Sequence, residues 1–374
     1  MAFEHYIRSG QKQLRCGYTT GTCAALAAAG ATCFLLNGKC PETLTLVTPK
    51  GLPVTVQPAR CGGNDTVAEC SVRKDAGDDA DVTDGMEVVA TVRRISGETI
   101  LIDGGVGVGR VTKPGLDQPV GGAAINRVPR LMIEQQVRAV CDDWGYEGGL
   151  LVVISIPDGE RLAKRTFNPM LGVEGGLSIL GTSGIVEPMS EQAIVDTIAV
   201  EQRQASAAGA KQLILTPGNY GMDFLREQGW FSQKIPVVKC SNFIGDALDI
   251  AVTQQFETVL LVGHIGKLVK LAGGVMNTHS RYADCRIELF CAHAAVCGGS
   301  QSLCQSLLSA ATTDACLALL DTEGLREPVL YALMSAIQTH LDRRVGGAYR
   351  VGAVLFSNQY GLLGETEQAK AILG

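Results

Sequence analysis

A chain of 374 residues exceeds the roughly 250–300 at which a single hydrophobic core stops growing, so two domains are expected. With 46% hydrophobic and 19% charged residues it is not a disordered chain, and a net charge of −6 argues against a nucleic-acid partner, which would call for basic excess. Forty-five glycines beside 5% aromatics suit backbone-lined ligand loops better than base-stacking platforms.

Residues 21–36 are apolar and alanine-rich, and they follow Lys12 and Arg15 as a signal peptide or membrane helix would. The segment is shorter than the roughly 20 residues a span needs and opens with threonines, so a buried, closely packed helix is expected. Strand-like runs at 44–48, 54–57, 68–73, 87–95 and 99–103, separated by Gly, Pro and Asp clusters, predict an antiparallel sheet. A helix near 133–144, a strand over 150–156 and a glycine-dense stretch over 166–189 complete an α+β domain over residues 1–188.

Past Pro188 the rhythm changes. Helix 191–208, strand 212–216, helix 222–228, strand 236–240, helix 246–255, strand 258–263 and helix 265–271 alternate with short connections. That pattern predicts a Rossmann-like α/β domain over 189–374, a parallel sheet covered by helices. Helices over 283–296, 304–308, 314–320 and 328–343 and a strand over 349–356 follow. The thirteen cysteines contain no Cys-x-x-Cys pair, and Cys285, Cys291, Cys297 and Cys304 are too far apart for a metal motif. They read as reduced, mostly buried thiols of a cytoplasmic protein.

Three segments carry candidate chemistry. Arg15-Cys-Gly-Tyr-Thr-Thr-Gly-Thr-Cys23 opens the alanine-rich helix, and Thr19, Thr20, Gly21 and Thr22 offer hydroxyls and amides at a helix start, which favours an anion. An ordinary capped core helix would look the same. Leu215-Thr-Pro-Gly-Asn-Tyr-Gly221 ends the first strand of the alternating half, and Pro217, Gly218, Asn219 and Tyr220 form a turn that lets a nucleotide approach the backbone. Lys239-Cys-Ser-Asn242 and Gly263-His-Ile-Gly-Lys267 end two more strands in polar groups, and ligands of open α/β sheets bind outside such carboxyl ends. The alternative there is a plain strand-to-helix turn.

The third segment, from Gly263 to Ser280, holds His264, Lys267, Lys270 and His279 on a chain with five histidines. The lysines suit carboxylates and a histidine suits general-base work near neutral pH. Structural hydrogen bonds and a solvated helix face are the alternatives, above all for Lys270. No carboxylate lies near at ligand spacing, so a protein-bound metal is not expected. The glycine-rich stretches 103–109 and 168–183 either line the same cleft or form turns and bulges. A transferase and a dehydrogenase both fit the residues alone.

Together the segments 15–24, Thr166-Phe-Asn-Pro through Gly176, 179–190, 216–221, 238–246, 263–280, Phe356-Ser-Asn358 and Tyr360-Gly361 resemble the cobalt-precorrin-5B C-1-methyltransferase family of anaerobic cobalamin synthesis, nearly end to end. The resemblance implies methyl transfer from S-adenosylmethionine to C-1 of a cobalt-containing tetrapyrrole, the cobalt belonging to the substrate. It implies Arg15, the Thr19–Thr22 loop, Lys267 and Lys270 as partners of the macrocycle's carboxylates. The cofactor is expected near Pro217–Tyr220 and near Ser241, Asn242 and Asp246, with Asn242 or Asp246 on the ribose. His264 is the first candidate base and His279 the second. Two other classes are weighed: a nicotinamide-dependent tetrapyrrole reductase, against which the missing Gly-x-Gly-x-x-Gly counts, and a non-catalytic corrinoid carrier. No nucleic acid or membrane partner is expected; a homo-oligomer is left open.

Overall fold

Alanine, threonine and leucine on every side leave the segment after Thr19 without a polar face, and such a helix is stable only inside a core. The computed structural model, which describes residues 3–9, 11–166, 168–169, 171–230 and 235–373, places it there. The helix Thr20–Asn37 is the one element long and apolar enough to cross a membrane among the described residues, and it is mostly buried. It starts where Thr19 accepts a hydrogen bond from the Thr22 amide and stops at Gly38, whose φ of +72° no longer fits a helix. It packs on the helix Arg127–Asp143 and on the strands Val67–Arg73 and Glu87–Ile95. Gly30 permits the close approach: a Cβ there would lie 2.6 Å from Cys70 Sγ.

The chain divides into two compact units, Met1–Ser190 and Glu191–Gly374. In the first, a five-stranded sheet runs Arg60–Gly63, Val67–Arg73, Glu87–Ile95, Gly149–Ser155, Ile100–Gly104. This departs in part from the antiparallel sheet expected from the sequence. The strand Gly149–Ser155 inserts between Glu87–Ile95 and Ile100–Gly104, antiparallel to the former and parallel to the latter. There its backbone groups are paired on both sides, whereas an edge position would leave one row of N–H and C=O groups open. Leu44–Val47 and Pro53–Val56 leave the sheet and form a separate hairpin. The two glycine-rich stretches meet directly: Gly107–Val108 pairs with Gly176–Leu177, and Arg110–Val111 with Val173–Glu174. Phe167, within the motif that begins at Thr166, lies outside the described residues.

One cysteine pair overturns the expectation of reduced thiols throughout: Cys40 and Cys61 form a disulfide, while the other eleven cysteines are free. The chain after the alanine-rich helix turns back beside the edge strand Arg60–Gly63, which no spacing rule signals.

The second unit is a mixed α/β layer structure. Its sheet runs Val237–Lys239, Gln212–Thr216, Thr258–His264, Arg350–Ser357, Gly361–Glu365, the first four parallel and the last antiparallel. Numbered in chain order, the strands stand 2-1-3-4-5. Leu213, Leu215, Val259, Leu261, Ala353 and Leu355 face a core shared with the helices Ile244–Thr253 and Arg326–Val345. Ile214, Leu260, Val262 and Val354 face the opposite side, with Phe224 of the helix Asn219–Glu227 and Ala369 of the helix Glu367–Leu373. Burial on both faces explains the unbroken apolar runs that marked these strands in the sequence. The closing strand Gly361–Glu365 and the helix after it carried too little apolar pattern to be read.

Candidate functional site

In a 2-1-3-4-5 sheet the chain turns to one side after its first strand and to the other after its third, which opens a crevice at the carboxyl ends of those two. Here these are the ends of Gln212–Thr216 and Thr258–His264. Pro217 and Gly218 form the turn after the first, and the helix Asn219–Glu227 begins at once. Gly221 makes that start possible: a Cβ on it would lie 1.7 Å from Thr216 Oγ1. Tyr220 is 65% exposed beside the turn.

His264 ends the other strand. Its ring lies between Tyr220, centroids 6.2 Å apart, and Phe356, 5.7 Å away in an edge-on arrangement. Phe356 stacks in turn on Phe224 at 4.2 Å, so the imidazole rests on a rigid aromatic wall. The Gly266 amide donates to His264 Nδ1 at 3.0 Å. With Nδ1 an acceptor, the neutral ring carries its hydrogen on Nε2. Burial holds the imidazole below its ordinary value, against a smaller opposing pull from Asp314. Lys267, half-buried on the next turn, donates from Nζ to Pro217 O at 2.9 Å, and burial lowers its ammonium as well.

Around this crevice the remaining predicted residues separate. Asn219 Oδ1 accepts from Lys239 Nζ at 3.0 Å. Ser241 has a left-handed backbone, φ +53°, at the turn after Val237–Lys239. Asn242 is bound to a second loop: its Oδ1 accepts from Thr278 Oγ1 at 3.1 Å and its carbonyl from the Thr278 amide at 3.0 Å. Asp246 sits in the first turn of Ile244–Thr253, and its charge acts on Arg344. Lys270 is 3% exposed and donates to Thr278 O at 3.1 Å and Ala283 O at 2.8 Å, so it clamps the loop rather than facing a ligand. His279, on that loop, accepts the Arg281 amide at Nδ1, 3.1 Å, which again leaves the hydrogen on Nε2. Both histidines read as bases thus have their neutral lone pair in a backbone hydrogen bond.

The Thr/Gly-rich helix start in the first unit is closed. Leu180 O accepts the Gly21 amide at 3.1 Å and Thr20 Oγ1 at 3.1 Å, while the Leu180 amide donates to Thr20 Oγ1 at 2.9 Å. Thr22 Oγ1 donates to Gly184 O at 2.7 Å, and Thr19 and Thr22 are buried. Arg15 is engaged twice by Asp75, at 2.6 and 2.8 Å, and its guanidinium holds that carboxyl below the usual range. The expected anion site therefore has its donors committed inside the fold. A cavity of about 360 Å³ lies elsewhere in this unit, along the sheet edge at Arg60, Gly62, Glu69 and Val89, away from any strand-end crevice.

Two groups escaped the sequence reading. Ser357, at the carboxyl end of Arg350–Ser357, donates to Asp314 Oδ1 at 2.9 Å, which sets a fixed carboxylate beside His264. Phe356-Ser-Asn358 was a recognisable motif, but nothing in it signals a partner on a distant helix.

A family model described as CbiD matches residues 7–188, and one described as the CbiD C-terminal domain matches 277–367. The cobalt-precorrin-5B C(1)-methyltransferase of Ruminiclostridium cellulolyticum is 47% identical over 95% of this chain and 92% of its own length. The chain belongs to the CbiD family. A second CbiD relative, the cobalt-precorrin-5B C(1)-methyltransferase of Alkaliphilus metalliredigens, is 42% identical over 99% of this chain and 97% of that one. The crystal structure of the cobalamin biosynthesis protein CbiD from Archaeoglobus fulgidus is 30% identical, with a TM-score of 0.40 over 79% of this chain and 88% of that chain. Pro217–Lys267, the crevice of this CbiD chain, falls between the two family models and within the reach of the full-length relatives.

Proposed function

We propose that this chain transfers the methyl group of S-adenosylmethionine to C-1 of cobalt-precorrin-5B. Full-length identity to relatives of that name carries the reading. The second unit, taken as a Rossmann-like fold, would hold the cofactor at its 2-1-3-4-5 switch point, the usual nucleotide crevice of such sheets. Pro217, Gly218 and Asn219 give the backbone approach and Tyr220 an exposed ring for the adenine. Ser241, at the turn after Val237–Lys239, and Asp246, in the first turn of the following helix, are proposed to complete the cofactor site; Asn242, committed to Thr278, supports the turn.

The sulfonium is already a good leaving group, and the attacking carbon belongs to the macrocycle. The protein's task is to hold the two in line, an effect worth about 7–11 kcal/mol at best. The carboxylates of the macrocycle need cations, and Lys267 has ammonium hydrogens beyond the one given to Pro217 O. The first unit is proposed as the tetrapyrrole side, through surfaces other than the closed helix start at Thr19–Thr22.

Calorimetric titration with S-adenosylhomocysteine, with NADPH in parallel, tests the cofactor half. Micromolar binding of the adenosyl ligand alone is expected, with or without the tetrapyrrole present. Binding of NADPH alone would replace the reading with a reductase, and transfer of labelled methyl to the macrocycle separates an enzyme from a corrinoid carrier.

A further inference from the structure

The neutral lone pair of His264 is engaged by the Gly266 amide at 3.0 Å, and its ring is fixed between Tyr220 and Phe356. Among the described residues Nε2 has no hydrogen-bond partner, although the ring is only half-buried at the open end of the sheet. One turn on, Lys267 is held over the same turn by Pro217 O, with two further ammonium hydrogens to give. The fixed carboxylate of Asp314 has one oxygen committed to Ser357 and acts on the ring through space only. The two groups therefore present donors and no acceptor. A base would have to take its proton at Nδ1, breaking the bond that starts the helix Ile265–Leu268.

From this we infer that His264 and Lys267 together form a carboxylate subsite, in which His264 donates through Nε2–H and takes no proton in the reaction. The inference rests on the proposed methyltransferase reading and deepens it. The carboxylate is either the one on the cofactor's methionyl group or one on the macrocycle. Charge-assisted hydrogen bonds from a neutral imidazole and an ammonium suit either, and a pair of such donors also fixes the direction of the bound chain.

The test uses the full chain with three substitutions. His264→Asn keeps an oxygen where Nδ1 sits, so it preserves the bond from Gly266 and removes Nε2–H. His264→Gln places an amide N–H near the Nε2 position and cannot act as a base. Lys267→Met removes the cation. Each is titrated with S-adenosylhomocysteine and with its decarboxylated analogue, and each is assayed for KM and kcat with the tetrapyrrole.

His264→Asn and Lys267→Met are expected to weaken a carboxylate ligand about tenfold or more, with His264→Gln recovering most of the loss. If the loss appears with S-adenosylhomocysteine and vanishes with the decarboxylated analogue, the carboxylate is the cofactor's. If adenosyl binding holds while KM for the tetrapyrrole rises, it is the macrocycle's. Equal collapse of kcat in the Asn and Gln variants, with all affinities unchanged, would overturn the inference in favour of a base. So would wild-type behaviour of all three. A wild-type protein that binds no adenosyl ligand even with the tetrapyrrole present would sink the underlying methyltransferase reading instead.

Discussion

Two stretches of this chain look alike on paper: Thr19–Gly21–Thr22 at the start of one helix and Pro217–Gly218–Asn219 at the start of another. Folded, they are opposites. At the first, every donor named finds a carbonyl or hydroxyl on residues 180–184 or within its own turn, and the side chains are buried. At the second, the turn lies at the strand switch with Tyr220 exposed, the Lys267 ammonium only partly used and, among the described residues, no partner on His264 Nε2–H. Glycine at a helix start therefore marks a tight junction, and topology decides whether that junction faces a core or the open carboxyl end of a sheet.

The sharpest way to probe the contrast is the clamp that supports the open site. Lys270→Met leaves the buried Thr278 O and the part-buried Ala283 O without their charged donor, and a loss of about 3 kcal/mol is expected in denaturant unfolding. If Lys270 instead served a ligand, the variant would unfold normally and bind poorly. Thr22→Val removes the bond to Gly184 O and should cost about 1 kcal/mol of stability while leaving affinity for S-adenosylhomocysteine unchanged. Affinity that falls with Thr22→Val would break the comparison, because the closed junction would then be functional. Tyr220→Ala should do the reverse: an unchanged melting temperature and adenosyl binding weaker by about tenfold, the scale of one aromatic contact.

The smallest effect is on pH. Burial holds His264 and His293 below their ordinary value of about 6.5, so the unfolded chain binds more protons than the folded one just below that value. Stability therefore rises with pH through this window and is lost as pH falls from about 6.5 toward the lowered values. Melting curves at about pH 7.5 and about pH 5.5 should show a modest drop, smaller in His264→Asn than in wild type.

Much of the second unit was legible because its strands are buried on both faces. Residues 258–263 read as a strand from their unbroken apolar run, and the strand, Thr258–His264, sits at the sheet centre between Gln212–Thr216 and Arg350–Ser357. The first unit was less so. Nothing local in residues 149–155 tells that they enter between two strands adjacent in sequence, since that choice depends on which edges are free. The site shows the same limit. His264 and Lys267 stood out by type and place, whereas the clamp by Lys270 and the Asp314–Ser357 pair come from chain segments that meet only in the fold. The histidines were located by sequence, but the hydrogen bond that determines their chemistry is a backbone contact invisible to residue type.

The strand order also shapes how the second unit comes into being. Thr258–His264 pairs with Arg350–Ser357, and the helices of residues 265–349 all lie between them in the chain. A nascent chain that has delivered three strands still exposes one edge of its central strand and the half-covered apolar residues Leu260 and Val262. Closure waits on synthesis of Arg350–Ser357, so this unit cannot fold progressively behind the ribosome as a chain of local hairpins would. The strand-end crevice, where Phe356 packs against His264, is thus among the last features of this unit to form.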